Sequence, residues 1–310
     1  MNPEIASCIS SGFKIARKSV AGMAIYTAGL AIVLILSAGI LLLTKPPLKS
    51  LVAVSKNRGR IQQQRILSKN ETNTAVKSKT RELTPEEKEV TNWFKKVWPV
   101  FFPLGILLIF SAQFFKAAQI GFLAKMIREN QAGIKDFFAA GRRFWSLIAA
   151  NMLLLGALSL PMLGGGLIVS ISAILPKILA GILTFFAILT AIVFVIWLGV
   201  RLTFLNIAVI ADQKSPIEAW RNSFHATSGR WWHVLGFGVV LGLLSFGAQI
   251  VMNLLNRIVG FATGNAATVL AIVVIFSTLV RVFMSFFQLS ASIYYYDQTK
   301  KTGETVLGSN

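Results

Sequence analysis

The stretch SPIEAWRNSFHATSGRWWHVLG, Ser215 to Gly236, sets a serine, a glutamate, two histidines and two arginines close together. Ser215, Glu218 and His225 are the residue types of a nucleophile, an acid and a base. Their spacing assigns them elsewhere. Ser215, then Pro216, then Glu218 at the third helical position spell a helix start: the hydroxyl and the carboxylate each accept an orphan backbone N–H. His225 follows Glu218 by nearly two helical turns and fits an ordinary surface position. His225 and His233 have no acid or thiol partners nearby, and Cys8 is the sole cysteine, so no metal ligand set is expected. The PMLGGG run at Pro161–Gly166 lacks the lysine and hydroxyl of a phosphate-binding loop. No catalytic residue, metal or cofactor is expected, and the chain reads as non-enzymatic.

The elements that hold this stretch are apolar. Of 310 residues, 55% are hydrophobic and 14% charged, against about 25% charged in a soluble domain. Mean hydropathy is +0.66. Runs of about 20 apolar residues recur, enough to cross a bilayer as helices. Helices satisfy every backbone group internally, and no alternating strand pattern is visible. The expected class is all-α: a polytopic membrane protein of six spans with interfacial amphipathic helices. The spans read as 19–43, about 100–126, about 145–170 (interrupted by PMLGGG), about 178–205, 232–255 and about 267–295. In domain terms, 1–18 is an amphipathic N-terminus, 19–43 the first span, 44–99 a basic loop, 100–295 the other five spans and 296–310 a tail. The first span is too long for the apolar core of a cleavable signal.

Charge sets the expected orientation. Lys14, Arg17 and Lys18 precede the first span; Lys125, Arg128, Lys135, Arg142 and Arg143 lie between the second and third. Lys214, Arg221 and Arg230 lie between the fourth and fifth, and Lys300 and Lys301 follow the sixth. The remaining short connections hold only Lys177 and Arg257. Both termini are therefore expected in the cytoplasm of a cell (inner) membrane. The loop at 44–99 opposes this, with 13 Lys and Arg against 5 Glu. Its first part reads as flexible. Its end, LTPEEKEVTNWFKKVW, reads as an interfacial helix capped by Thr84 and Glu87, with Val90, Trp93, Phe94, Val97 and Trp98 on one face. The formal charge of +19 points to anionic membrane lipids as partners rather than nucleic acid. A membrane-protein partner or a homo-oligomer is also compatible.

The opening stretch has a counterpart. GIKDFFAAGRRFWSLI, Gly133 to Ile148, also combines an isoleucine beside an acid, an aromatic helical face, Gly-Arg and an aromatic pair. GFKIARKSV, Gly12 to Val20, is a weaker third copy. Each unit reads as a basic surface helix followed by spans. Arg142, Arg143, Trp145, Arg201, Arg230, Trp231 and Trp232 are the expected interfacial anchors, and Ser215 with Glu218 the cap. Arg201–Gly236, NQAGIKDFFAAGRRFW and SASIYYYDQ together resemble a bacterial membrane family. It includes the membrane domain of glycerophosphoryl diester phosphodiesterases and the uncharacterised YciC-like proteins. The resemblance covers much of 105–298. It implies a six-helix membrane protein whose phosphodiesterase activity, where present, belongs to a separate soluble barrel. No room for such a barrel is expected here, and the 44–99 loop is longer than the family implies.

Two cations stand out. Lys116 and Arg281 fall inside expected spans, and no Asp or Glu lies within any span. A central arginine costs about 2.5–3.5 kcal/mol on insertion scales. These two are the candidate contacts for an anionic lipid or substrate, with Gln113, Gln119, Asn151 and Asn253 as expected neighbours and Gln249 or Gln288 as hydrogen-bond partners. The expected role is membrane-organising or lipid-associated; a small transporter or translocator of an anionic or lipid substrate is the alternative.

Overall fold

The computed structural model describes residues 4–44, 47, 50, 53, 84–172, 176–263 and 266–307. Among these residues the structure is helical, with no strand. In chain order the helices are α1 (Ile5–Lys18), α2 (Val20–Leu43), α3 (Pro85–Glu129), α4 (Ile134–Gly141) and α5 (Phe144–Ser172). They continue as α6 (Lys177–Arg201), α7 (Leu205–Ile210), α8 (Pro216–Thr227), α9 (Trp231–Thr263) and α10 (Ala266–Leu307). Among the described residues, six segments are long and apolar enough to cross a membrane: α2, α3, α5, α6 with α7, α9 and α10. Leu153, Leu155 and Leu163 of α5, Phe185 and Ile192 of α6, and Leu243 and Phe246 of α9 are all exposed, the surface expected of helices whose solvent is lipid. The protein is an all-α polytopic membrane protein.

The chain forms two compact units, Leu30–Ser111 and Met1–Gly29 with Ala112–Asn310. In the first, Thr84 and Glu87 form the expected reciprocal cap. The Thr84 N–H donates to Glu87 Oε2 at 3.0 Å, and the Glu87 N–H donates to Thr84 Oγ1 at 3.3 Å. Trp93 Nε1 donates to the Thr44 carbonyl at 3.2 Å. The expected break between an interfacial helix ending at 99 and a span starting at 100 is absent. α3 runs through Pro99 and Pro103 without interruption, as membrane helices tolerate. The basic stretch 54–83, with its Asn70–Thr72 glycosylation tripeptide, lies outside the described residues.

The second unit is organised by three short helices. α1 buries Cys8, Gly12 and Ala16; α4 buries Phe137 and Gly141; α8 buries Ala219, Ser223 and Thr227. Each set recurs every four residues, so each is one helical stripe. Small side chains on such a stripe let backbones approach closely. A Cβ on Gly12 would lie 2.7 Å from Ala291 Cβ and 2.9 Å from its backbone, so α1 seats directly on α10. A Cβ on Gly121 of α3 would lie 2.1 Å from Ala140 Cβ of α4. On α8, Ala219, Ser223 and Thr227 are the fully buried stripe, Trp220 and Phe224 pack partly buried beside it, and Ile217 is exposed.

The repeated unit is visible in its boundaries. A residue with left-handed backbone precedes α4 (Asn130, φ 58°) and α8 (Gln213, φ 57°). Asp136 Oδ2 accepts the Gly133 N–H at 2.8 Å, as Glu218 Oε2 accepts that of Ser215 at 3.3 Å. α4 and α8 each lead into a long helix after a brief turn, and Gly229 makes the second turn with φ 70°. Three span boundaries differ from expectation. α5 passes through Pro161 and the triple glycine as one helix, not an interrupted one. α6 ends at Arg201, and the chain turns before α7, which carries the fourth candidate span on to Ile210. α10 continues to Leu307, so residues 296–307 are helical in continuity with the sixth span.

Candidate functional site

α9 and α10 flank a lateral groove of about 240 Å³. Arg281 lies in it, with Ser245, Gln249 and Asn253 from α9 and Ser277, Ser285 and Gln288 from α10. The helices position these groups by periodicity. Ser245, Gln249 and Asn253 recur every four residues, as do Ser277, Arg281 and Ser285, so each set forms a line along one face. Three cross-helix bonds fix the groove. Gln288 Nε2 donates to the Leu241 carbonyl at 3.3 Å and to Ser245 Oγ. Gln119 Nε2 of α3 donates to Ser285 Oγ at 3.1 Å.

Arg281 itself is exposed and makes no hydrogen bond or ion pair among the described residues. Of the neighbours expected for it, Asn253 and Gln249 share its groove, and Gln119 joins through Ser285. Gln113 and Asn151 instead pair with each other at 3.1 Å between α3 and α5. Lys116, exposed on α3, lies in sequence between Gln113 and Gln119 but does not line the Arg281 groove. The two candidate cations therefore do not share one pocket. What the groove can do is hold an anion: one guanidinium offers five N–H donors, amides and hydroxyls surround it, and no carboxylate competes.

A second arginine site lies where α3 and α7 end against Asp297 of α10. Arg128 Nη2 donates to Asp212 Oδ1 at 2.9 Å and to Asp297 Oδ1 at 2.7 Å. Its Nε donates to Asp297 Oδ2 at 3.1 Å, and its Nη1 to the Ala211 carbonyl at 2.9 Å. Tyr296 Oη donates to Asp212 Oδ2 at 2.8 Å, and Lys300 Nζ approaches the same oxygen at 3.2 Å. The Asp212 side chain is only 5% exposed. Burial pushes its carboxyl up, but the Tyr296 hydroxyl and the Lys300 and Arg128 charges outweigh burial and hold it below the usual carboxylate value. At the start of α4, the Lys125 ammonium and the Gly133 N–H hold Asp136 below its usual value as well.

Several expected anchors are engaged by protein. Arg201 Nη1 donates to the Phe224 carbonyl at 3.3 Å, and the guanidinium lies 5.8 Å and 5.7 Å from the Trp197 and Phe224 rings. It thus sits at the negative C-terminal end of α8, a favourable place for a cation. Arg143 Nη2 donates to Gln213 Oε1 at 2.8 Å, and Arg230 Nη1 to the Thr299 carbonyl at 3.2 Å. Arg142, Trp145 and Trp232 are exposed, and Trp231 is half-buried edge-on against Trp232. Ser215 and Glu218 cap α8 and each other, as expected, while His225 is exposed.

Residues 95–299 match the family described as Domain of unknown function (DUF7847). The chain belongs to that family. No curated protein and no solved structure matches it. The DUF7847 region begins inside α3, after the Thr84 cap, and ends at Thr299. It therefore contains the Arg281 groove, the Arg128 network apart from Lys300, and both clear copies of the repeated unit, while α1 and α2 lie outside it. The Arg128 network was missed in the sequence. Its signal is two Asp-Gln pairs, Asp212-Gln213 just after α7 and Asp297-Gln298 within α10.

Proposed function

We propose that this protein is a non-catalytic integral membrane protein that binds anionic lipid, with the phosphate held at Arg281. One observation carries the reading: Arg281 lines a lateral polar groove without a carboxylate partner among the described residues. A cation placed at that depth is retained at a cost unless something anionic meets it. Mass spectrometry of lipids co-purified in mild detergent tests it. Arg281→Leu is expected to retain less anionic lipid than the wild type; equal retention by a folded variant overturns the reading.

The same reading places both termini in the cytoplasm, with the basic ends of α1, α3, α8 and α10 facing anionic headgroups of a cell membrane. The interfacial role of Arg142, Trp145 and Trp232 belongs to it. A reporter fused near Lys69 tests the orientation: an external readout is expected, and a cytoplasmic one reverses the topology.

A further inference from the structure

The polar positions of the groove do not stop at Arg281. On α10, Ser277, Arg281, Ser285, Gln288 and Ser292 follow one another at three- and four-residue spacing, which keeps them within one helical face. From first to last they span about 22 Å at 1.5 Å per residue. The hydrocarbon core is about 30 Å thick. Arg281 lies about 24 Å along α10 from Asp297 at the same rise, well away from the Arg128 network. A headgroup held at Arg281 is therefore displaced from that end of the bundle into the span.

The groove is also too small for a whole lipid. Its volume of about 240 Å³ falls below the ~300–1,000 Å³ typical of a pocket for a drug-sized ligand. A headgroup can enter while its acyl chains stay outside, along the exposed Phe246, Ile250 and Leu254 of α9 and Ile275 and Leu279 of α10. Toward the polar end the two helices are tied by Gln288 to Ser245 and Leu241, whereas Gln249, Asn253 and Arg281 form no such tie among the described residues. We infer that the α9–α10 groove is a path along which the phosphate of an anionic glycerophospholipid moves between leaflets, with Arg281 as its stopping point and the Gln288–Ser245 contact as its latch. The inference rests on the anionic-lipid reading. The preference for a net anionic headgroup follows from the groove itself, which offers one cation and no carboxylate for a choline or ethanolamine group.

Vesicles of phosphatidylcholine and phosphatidylglycerol, with a trace of phosphatidylglycerol fluorescent on one acyl chain, test it. External dithionite bleaches only the outer leaflet. Wild-type protein is expected to bring the inner-leaflet pool within reach of dithionite without any energy source. Arg281→Leu is expected to slow this about tenfold, equivalent to ~1.4 kcal/mol, Arg281→Lys to keep most of the rate, and Gln288→Ala to raise it. Retained helical circular dichroism and a monodisperse elution separate a lost site from a lost fold. Wild-type vesicles that bleach like protein-free ones overturn the inference, as does Arg281→Leu at the wild-type rate or Gln288→Ala at or below it. If the wild type still co-purifies anionic lipid but moves none, the path falls and static lipid binding stands. Radiolabelled inorganic phosphate trapped in the same vesicles is expected to stay inside; its release without lipid movement overturns the inference in favour of a free-anion route.

Discussion

Arg128 and Arg281 belong to long helices of the same unit and differ in what surrounds them. Arg128 is 34% exposed and spends its donors on Asp212, Asp297 and a backbone carbonyl. Arg281 is exposed beside amides and hydroxyls, with no carboxylate among the described residues near it. The first arginine ties helix ends together within the chain. The second makes no comparable tie among the described residues. The two arginines are separated here by their partners, not by burial, and the proposed binding role of Arg281 rests on that difference.

The largest test of that contrast is to remove Arg128. Arg128→Leu strands Asp212, only 5% exposed, beside Tyr296 with Lys300 as its remaining cation. Breaking such a pair from one side costs about 3 kcal/mol, the lower end for buried pairs because Arg128 is partly solvated. Denaturant or thermal unfolding of purified protein in detergent measures it. A loss under about 1 kcal/mol would place Arg128 with ordinary surface ion pairs and break the comparison.

Acid should act on the same network with a smaller effect, since it neutralises the carboxylate instead of isolating it. Asp212 is held below its usual value in the fold. A depressed folded pKa contributes stability that is fully present above the unfolded value, about 3.9, and is lost as pH falls through the folded value. Unfolding followed from pH 7 downward should therefore show a loss confined to the region below about pH 4. The Asp212→Asn variant should flatten that loss. Arg281 has no carboxylate to titrate, so Arg281→Leu should leave the acid profile unchanged.

Arg281→Leu should move stability the other way. Lipid-free in detergent, the variant is expected to gain about 1 kcal/mol, a fraction of the cost that insertion scales assign to a central arginine. It should also stabilise less than the wild type when phosphatidylglycerol is added, because ligand that binds only the native state stabilises it in proportion to occupancy. A destabilised Arg281→Leu would give that arginine a structural partner and collapse the contrast.

Much of this was legible in advance, and the pattern of what was not is physical. Arg281 and its Asn253 and Gln249 neighbours could be read because a charge inside an apolar run has few explanations. The Thr84–Glu87 and Ser215–Glu218 caps could be read because capping is local in sequence. The Arg128 network could not, since Asp212 and Asp297 reach it only after α7 and α10 have folded together with α3. The inward stripes of α1 and α8 were also hidden. Aromatic residues such as Trp220 and Phe224 drew attention to one face, while close packing selected the small residues Ala219, Ser223 and Thr227 on another. Lys116 and Arg281 were joined by their shared oddity, but they sit on helices whose polar faces meet at Gln119 and Ser285 instead.

The smallest expected effect concerns the stretch with the most conspicuous chemistry. Ser215→Ala removes the hydroxyl that accepts the Glu218 N–H at 3.3 Å, but Glu218 keeps its own bond from the Ser215 N–H and Pro216 still starts the helix. A cap of this kind is worth ~0.5–2 kcal/mol in full; with half of the box retained, about 0.5 kcal/mol is expected. Lipid movement in the vesicle assay should not change. If Ser215→Ala instead abolished movement while leaving unfolding untouched, Ser215 would be acting on a ligand, and the functional centre would lie at the start of α8 and not in the groove of Arg281. A small stability loss with intact lipid movement keeps the serine where its spacing put it, as the first hydrogen bond of a helix whose far end is held by Arg201.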